Sequence, residues 1–184
     1  MKLIVVTGMP GAGKSEVADY LQRRYGIPVV VMGDVIREEA RRRGLEPDSA
    51  NTKSIMLELR ERDGPSAIAI RCVGKLKEMD NPIVVIEGCR SLAEVDVFRK
   101  FAEHVVIVCV HSSPATRFER LRSRGREDAP SSYEVFKERD MREISVGLGG
   151  VIALADIMLV NEGTLSQLRG MIHEIAEVLI ENAR

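Results

Sequence analysis

A chain of 184 residues with 45% apolar content can form one domain around a sizeable core, and 27 basic residues against 28 acidic ones leave a net charge of −1. That balance excludes compositional disorder and a basic field suited to long nucleic acids, and every apolar run falls well short of the roughly 18 residues that a membrane span needs. The basic residues are skewed, with twenty Arg and seven Lys, towards the planar fork that grips phosphate and carboxylate.

Taken in chain order, residues 3–7, 29–32, 83–87, 105–110 and 157–160 are short β-branched runs that are apolar throughout. Strands covered on both faces read this way, whereas half-exposed strands alternate. Helical patterns separate them. After the first strand, Val17, Ala18, Leu21 and Tyr25 mark one face, and Gly26 and Pro28 end the helix. Ser91 with Glu94, Ser131 with Glu134, and Thr164 with Gln167 have the spacing of capping boxes, and Ser113-Pro114 reads as an N-cap followed by proline at the first helical position. The last helix carries Leu165, Leu168, Ile172, Ile175 and Leu179 at helical spacing.

Strands alternating with helices predict a parallel sheet with right-handed crossovers. About fifty residues separate the second and third strands, more than one crossover helix needs. Segment 34–81 is therefore read as an insert, and 117–143, where basic residues outnumber acidic ones, as a second. Cys72, Cys89 and Cys109 have no paired spacing, which fits buried free thiols in the cytoplasm, and His104, His111 and His173 have no ligand spacing.

Gly8-Met9-Pro10-Gly11-Ala12-Gly13-Lys14-Ser15 matches G-x-x-x-x-G-K-[ST], after a buried strand and at the head of a helix. Gly8, Gly11 and Gly13 let the backbone turn with its N–H groups inward, and the helix start at Ser15-Glu16 adds partial positive charge. The spacing predicts an ATP site of Gly8, Gly11, Ala12, Gly13, Lys14, Ser15 and Glu16, with Lys14 on the outer phosphates and the Ser15 hydroxyl on Mg²⁺. At this point the chain resembles P-loop nucleotide kinases. The N/T-K-x-D motif by which GTPases read guanine is absent.

The second run ends Met32-Gly33-Asp34-Val35-Ile36-Arg37, similar to the segment of adenylate kinases in which an Arg three residues after G-D grips the acceptor's phosphate. The resemblance implies that Arg37 binds acceptor and that Asp34 faces the reacting centre, where a carboxylate can take a hydroxyl proton. Asp34 also suits the N-cap of the next helix. The third run ends Glu87-Gly88-Cys89-Arg90. Glu87 resembles a Walker B carboxylate for Mg²⁺, although Asp is commoner there. Arg90 corresponds to the Arg of the D-G-F-P-R segment of adenylate kinases, here one residue shorter, and is expected on the acceptor.

Beyond the fourth run, Ser113 to Arg124 resembles the S-x-E-x-x-x-x-R-x-x-x-R pattern of adenylate and dephospho-coenzyme A kinases. That resemblance puts Arg120 on the adenine and Arg124 on the phosphates, with Arg126 in the same loop and Lys137, Arg139 and a catalytic Arg142 on the returning helix. Ala155-Asp156 and Asn161-Glu162-Gly163 resemble the A-D and N-N-G of dephospho-coenzyme A kinases, which implies that Asn161 borders the base. The chain departs from those kinases at Gly33-Asp34, where they carry D-x-D. As a whole it is similar to an archaeal family of adenylate-kinase-related proteins.

The expected fold is an α/β P-loop NTPase three-layer sandwich with a five-stranded parallel sheet in the order 2-3-1-4-5. The expected single domain, 1–184, has a core of 1–33, 82–116 and 144–184, an acceptor-binding insert at 34–81 and a short lid at 117–143. The expected function is Mg²⁺-dependent transfer of the γ-phosphoryl group of ATP to a nucleotide-like acceptor, such as a nucleoside monophosphate or dephospho-coenzyme A. The competing expectation is a regulatory or assembly ATPase whose hydrolysis switches a protein or RNA partner.

Overall fold

The computed structural model describes residues 1–125 and 129–181. The first half runs β1 (Lys2–Thr7), α1 (Lys14–Tyr25), β2 (Val29–Val31), α2 (Met32–Arg42), α3 (Ser49–Asp63), α4 (Ala67–Leu76) and β3 (Ile83–Glu87). It continues α5 (Leu92–Phe101), β4 (His104–His111), α6 (Pro114–Ser123), α7 (Tyr133–Val146), α8 (Leu148–Ala153), β5 (Ile157–Val160) and α9 (Leu165–Glu181). The sheet is parallel, with strand order β2-β3-β1-β4-β5, as expected.

β1 lies at the centre, and all six of its residues are buried. Leu3 pairs with Val84 on one side and Val105 on the other. Alternate residues serve opposite faces. Leu3 and Val5 join a core with Ile55, Leu59, Ile68, Val95 and Phe98 from the helices α3, α4 and α5. Ile4 and Val6 join a second core with Val17 and Leu21 of α1 and Leu168 and Ile172 of α9. Each large apolar side chain fully enclosed in this way contributes about 1.5–3 kcal/mol, so the two faces hold the sheet rigid beneath the loops at its carboxyl edge.

Three strands differ from the sequence reading, β1 by starting one residue earlier at Lys2. β4 extends to His104 and His111 because both of its edges are occupied, Lys2 pairing with His104 and His111 with Val160. β2 is shorter, and Met32 already opens α2, so Asp34 lies inside the first turn and is not the N-cap. Its charge still favours the unpaired N–H groups there.

The caps follow the sequence with two shifts. Thr164 and Gln167 form a reciprocal box, Oγ1 accepting from Gln167 N–H at 3.3 Å and Oε1 from Thr164 N–H at 2.8 Å. Ser113 caps α6 ahead of Pro114, and Ser91 caps α5 by accepting from Glu94 N–H. The Glu94 carboxylate reaches one residue further back, to Arg90 N–H at 2.7 Å. On α7 the cap is Ser132 and not Ser131, the register that buries Phe136. The Gly147-Leu148-Gly149-Gly150 stretch is the joint between α7 and α8. Gly147, at φ +117°, ends one helix and begins the next, and α8 then buries Leu148 and Val151.

Candidate active site

The ends of β1, β3, β4 and β5 meet at the carboxyl edge of the sheet, where open α/β sheets hold their ligands. The loop between β1 and α1 needs its glycines. Gly8, Gly11 and Gly13 all have left-handed φ angles. A Cβ on Gly8 would stand 2.2 Å from the Val110 carbonyl oxygen, and one on Gly13 would stand 2.6 Å from Asn161 Nδ2. Any larger residue would push the loop off the sheet.

Lys14 folds over this loop and donates to the carbonyls of Gly8 (2.8 Å) and Met9 (3.2 Å). Burial pushes its ammonium down to about 8; Arg90 adds to that effect, while Glu87 and Glu143 oppose it. Beside it, Ser15 Oγ donates to Glu87 Oε1 at 2.8 Å. A hydroxyl and a carboxylate in contact at the loop's rim are the oxygen donors a hard divalent cation takes, so the residues fit Mg²⁺.

A cleft of about 180 Å³ opens here, lined by the loop, Ser15, Glu87, Arg90, Leu121, Arg124, Arg139 and Glu143 among others. Its charged side chains are four cations (Lys14, Arg90, Arg124, Arg139) against two carboxylates (Glu87, Glu143). The structure thus brings Gly8, Gly11, Lys14, Ser15, Glu87, Arg90 and Arg124 together, as the sequence reading requires. Ala12 and Gly13 lie in the buried turn below, and Glu16 lies behind on α1, with its Oε2 3.9 Å from the Arg169 guanidinium. Arg126 falls outside the described residues.

Five other expected residues lie elsewhere. Arg142 is exposed on the far side of α7, lining a separate open groove with Glu134, Lys137, Glu138, Met141 and Ser145. Arg139 and Glu143, four residues apart on one helical face, turn to the cleft; Arg142 and Glu138 share the opposite face. Asn161 is buried, not a rim residue: its Nδ2 donates to the Ala12 carbonyl at 2.8 Å, bracing the loop from below. Arg120 supports the same brace, donating to Ser112 Oγ (2.9 Å) and Asn161 Oδ1 (3.3 Å). Asp34 and Arg37 pair with each other, Nε and Nη2 reaching one oxygen at 2.8 and 2.5 Å, and neither is among the described residues lining the cleft.

Three features escaped the sequence reading. Arg117 is 3% exposed and ties the lid segment to the loop. It donates to the carbonyls of Ser112 and Pro10 (3.1 Å each), holds Asp140 of α7 through two bonds of 2.8 and 2.6 Å, and lies over the Phe136 ring. Arg60, in the first insert, is paired with Glu94, whose side chain is fully buried. That same carboxylate accepts the Arg90 N–H, so the insert and the β3 tip share one anion. Glu143 is the third; its only sequence signal is its place four residues after Arg139.

Sheet order and glycine loop define a P-loop protein with a kinase-like fold. A protein of Thermus thermophilus designated TT1252 is similar over 96% of this chain and 97% of its own, with a TM-score of 0.67 and 21% identity. A shikimate kinase from Bacteroides thetaiotaomicron is similar over 96% and 97%, with a TM-score of 0.65 and 16% identity. At these identities the likeness is one of fold.

A family model described as an AAA domain matches residues 7–137. A UPF0200 protein of Hyperthermus butylicus is 52% identical over 165 residues, covering 90% of this chain and 88% of the relative. Another, of Methanocaldococcus jannaschii, is 45% identical over 184 residues, covering 99% and 92%. The chain belongs to this AAA-domain family and to the UPF0200 proteins.

Proposed function

We propose that this protein transfers the γ-phosphoryl group of ATP to a small acceptor. The observation that carries this reading is the Ser15–Glu87 contact at 2.8 Å beside Lys14, set on the glycine loop at the head of α1. Phosphoryl transfer asks for positioning and for neutralisation of charge spread over the phosphate oxygens. The loop N–H groups and Lys14 supply this on the donor side, and Arg90, Arg124 and Arg139 on the remaining sides of the cleft. Ser15 and Glu87 would hold Mg²⁺, which when bound offsets phosphate charge.

In this reading segment 34–81 holds the acceptor, with Arg37 oriented by Asp34, and segment 117–143 is the lid. Arg117 fixes that lid to the loop through Pro10 and joins its two helices through Asp140, so Arg139 is already at the cleft. Arg120 and Asn161 act from below, holding the loop in its turned shape.

The test is incubation with γ-labelled ATP and Mg²⁺ against a panel including AMP and dephospho-coenzyme A, resolved by thin-layer chromatography. Label on an acceptor is expected. Label appearing solely as inorganic phosphate across the panel would defeat the kinase reading and favour an ATPase.

A further inference from the structure

We propose that Glu143 is a catalytic residue: it takes the proton of the attacking nucleophile, which makes the acceptor's reactive group a hydroxyl. The inference rests on the phosphoryl-transfer reading above.

Two carboxylates line the cleft among the described residues, Glu87 and Glu143. Glu87 is engaged by the Ser15 hydroxyl and belongs to the cation's side. Asp34, the acid that the sequence places at the reacting centre, is paired with Arg37 and is not among the described residues lining the cleft. Glu143 differs from both. Its side chain is 14% exposed, and its Oε2 stands 3.3 Å from Arg90 Nε. That oxygen is buried and accepts no hydrogen bond among the described residues. An enclosed acceptor without a donor costs about 1–3 kcal/mol, and a native fold that tolerates one leaves room for a donor to arrive. A hydroxyl on the acceptor is such a donor.

The surroundings fit this role. Glu143 projects from α7, which the Arg117–Asp140 pair fastens to the loop, so its reach into the cleft is set by a helix and not by a loose side chain. It lines the same cleft as Lys14 and the glycine loop. Arg90 faces one flank of the carboxylate, and Lys14, Arg139, Arg124 and Glu87 line the same cleft. A fully ionised phosphate acceptor has no proton to give and would meet this carboxylate as a second anion. A hydroxyl acceptor meets it as a hydrogen-bond partner.

In the step itself, the hydroxyl oxygen forms a bond to the γ-phosphorus while the bond from that phosphorus to the β–γ bridging oxygen breaks. ADP leaves with the electron pair, and the hydroxyl proton moves to Glu143 Oε2. With water as nucleophile the same step yields inorganic phosphate, which makes it measurable without the natural acceptor.

The experiment is single-turnover hydrolysis of Mg²⁺-ATP by the full chain, with a fluorescent ADP analogue reporting binding. Glu143→Gln is expected to slow phosphate release about 10²-fold or more while ADP affinity stays within about threefold. Glu143→Asp, with a shorter reach, should retain an intermediate rate, and Glu138→Gln, on the outer face of α7, should match the wild type. Wild-type turnover in Glu143→Gln, or tighter ADP binding with undiminished turnover, would reduce Glu143 to a counter-ion of Arg90 and overturn the proposal. So would a wild type that binds ADP yet hydrolyses ATP no faster than buffer. Failure of the wild type to bind ADP at all is a different result and removes the underlying reading with it.

Discussion

Replacing Arg117 with Met removes a guanidinium that is 3% exposed while keeping a side chain of similar reach over the Phe136 ring. Asp140, whose side chain is 13% exposed, would be left facing a pocket with no cation where two bonds of 2.8 and 2.6 Å had been. Removing one partner of a buried pair costs about 3–5 kcal/mol, chiefly because the other charge stays behind. The carbonyls of Ser112 and Pro10 lose a donor as well, a smaller loss where water can reach them. In a domain of this size each kcal/mol moves the midpoint by about 2–4 °C, so Arg117→Met should melt about 6–20 °C lower by circular dichroism. The double variant Arg117→Met/Asp140→Asn should recover much of the loss, since no charge is then stranded. A single variant that melts within about 2 °C of the wild type would refute the view that this pair fastens α7 to the loop.

Lys14, held at about 8 by burial, should take up a proton when phosphates enter beside it. Calorimetry of Mg²⁺-ADP binding in buffers of differing ionisation enthalpy should report about three-quarters of a proton at pH 8.5 and almost none at pH 6.5, and buffer-independent heats at pH 8.5 would contradict this. For stability the sign is opposite to that of a paired lysine: the folded state disfavours the charged form, so this group's contribution rises as pH climbs from about 8 towards 10.5. Gly8→Ala forces a Cβ to 2.2 Å from the Val110 carbonyl oxygen at φ +139°, and should cost more than the ~1–3 kcal/mol of an ordinary backbone outlier; an unchanged melting temperature would be incompatible with the close approach. Arg60→Met strands the fully buried Glu94 and should lower stability by about 3–5 kcal/mol in urea titration, with Arg60→Met/Glu94→Leu restoring most of it; equal losses in both variants would show that charge pairing is not the cause.

The strands were legible because they are apolar throughout, as the inner strands β1 and β3 must be when both faces are covered: 83–87 matches residue for residue, and so does 157–160, although that edge strand leaves Met158 and Val160 exposed. The glycine loop was legible because its chemistry is contiguous in the chain. What local sequence could not supply was direction. Ser131 and Ser132 are equivalent caps until the burial of Phe136 chooses between them. Arg139 and Arg142 are equivalent cations until the helix is docked, and docking depends on Arg117 and Asp140, 23 residues apart. Asn161 is put at the border of the base by the resemblance to the N-N-G segment of dephospho-coenzyme A kinases. Its inward turn is set by the Ala12 carbonyl, which no spacing rule connects to it.

That last brace has a consequence for synthesis. The glycine loop leaves the ribosome before the amide that holds its Ala12 carbonyl, which follows 149 residues later. β1 likewise waits for β3 and β4 before either edge is paired. The nascent loop therefore emerges without its support and completes its native hydrogen bonding when the last strand closes the sheet, so the most recognisable motif in the chain is written well before it is finished.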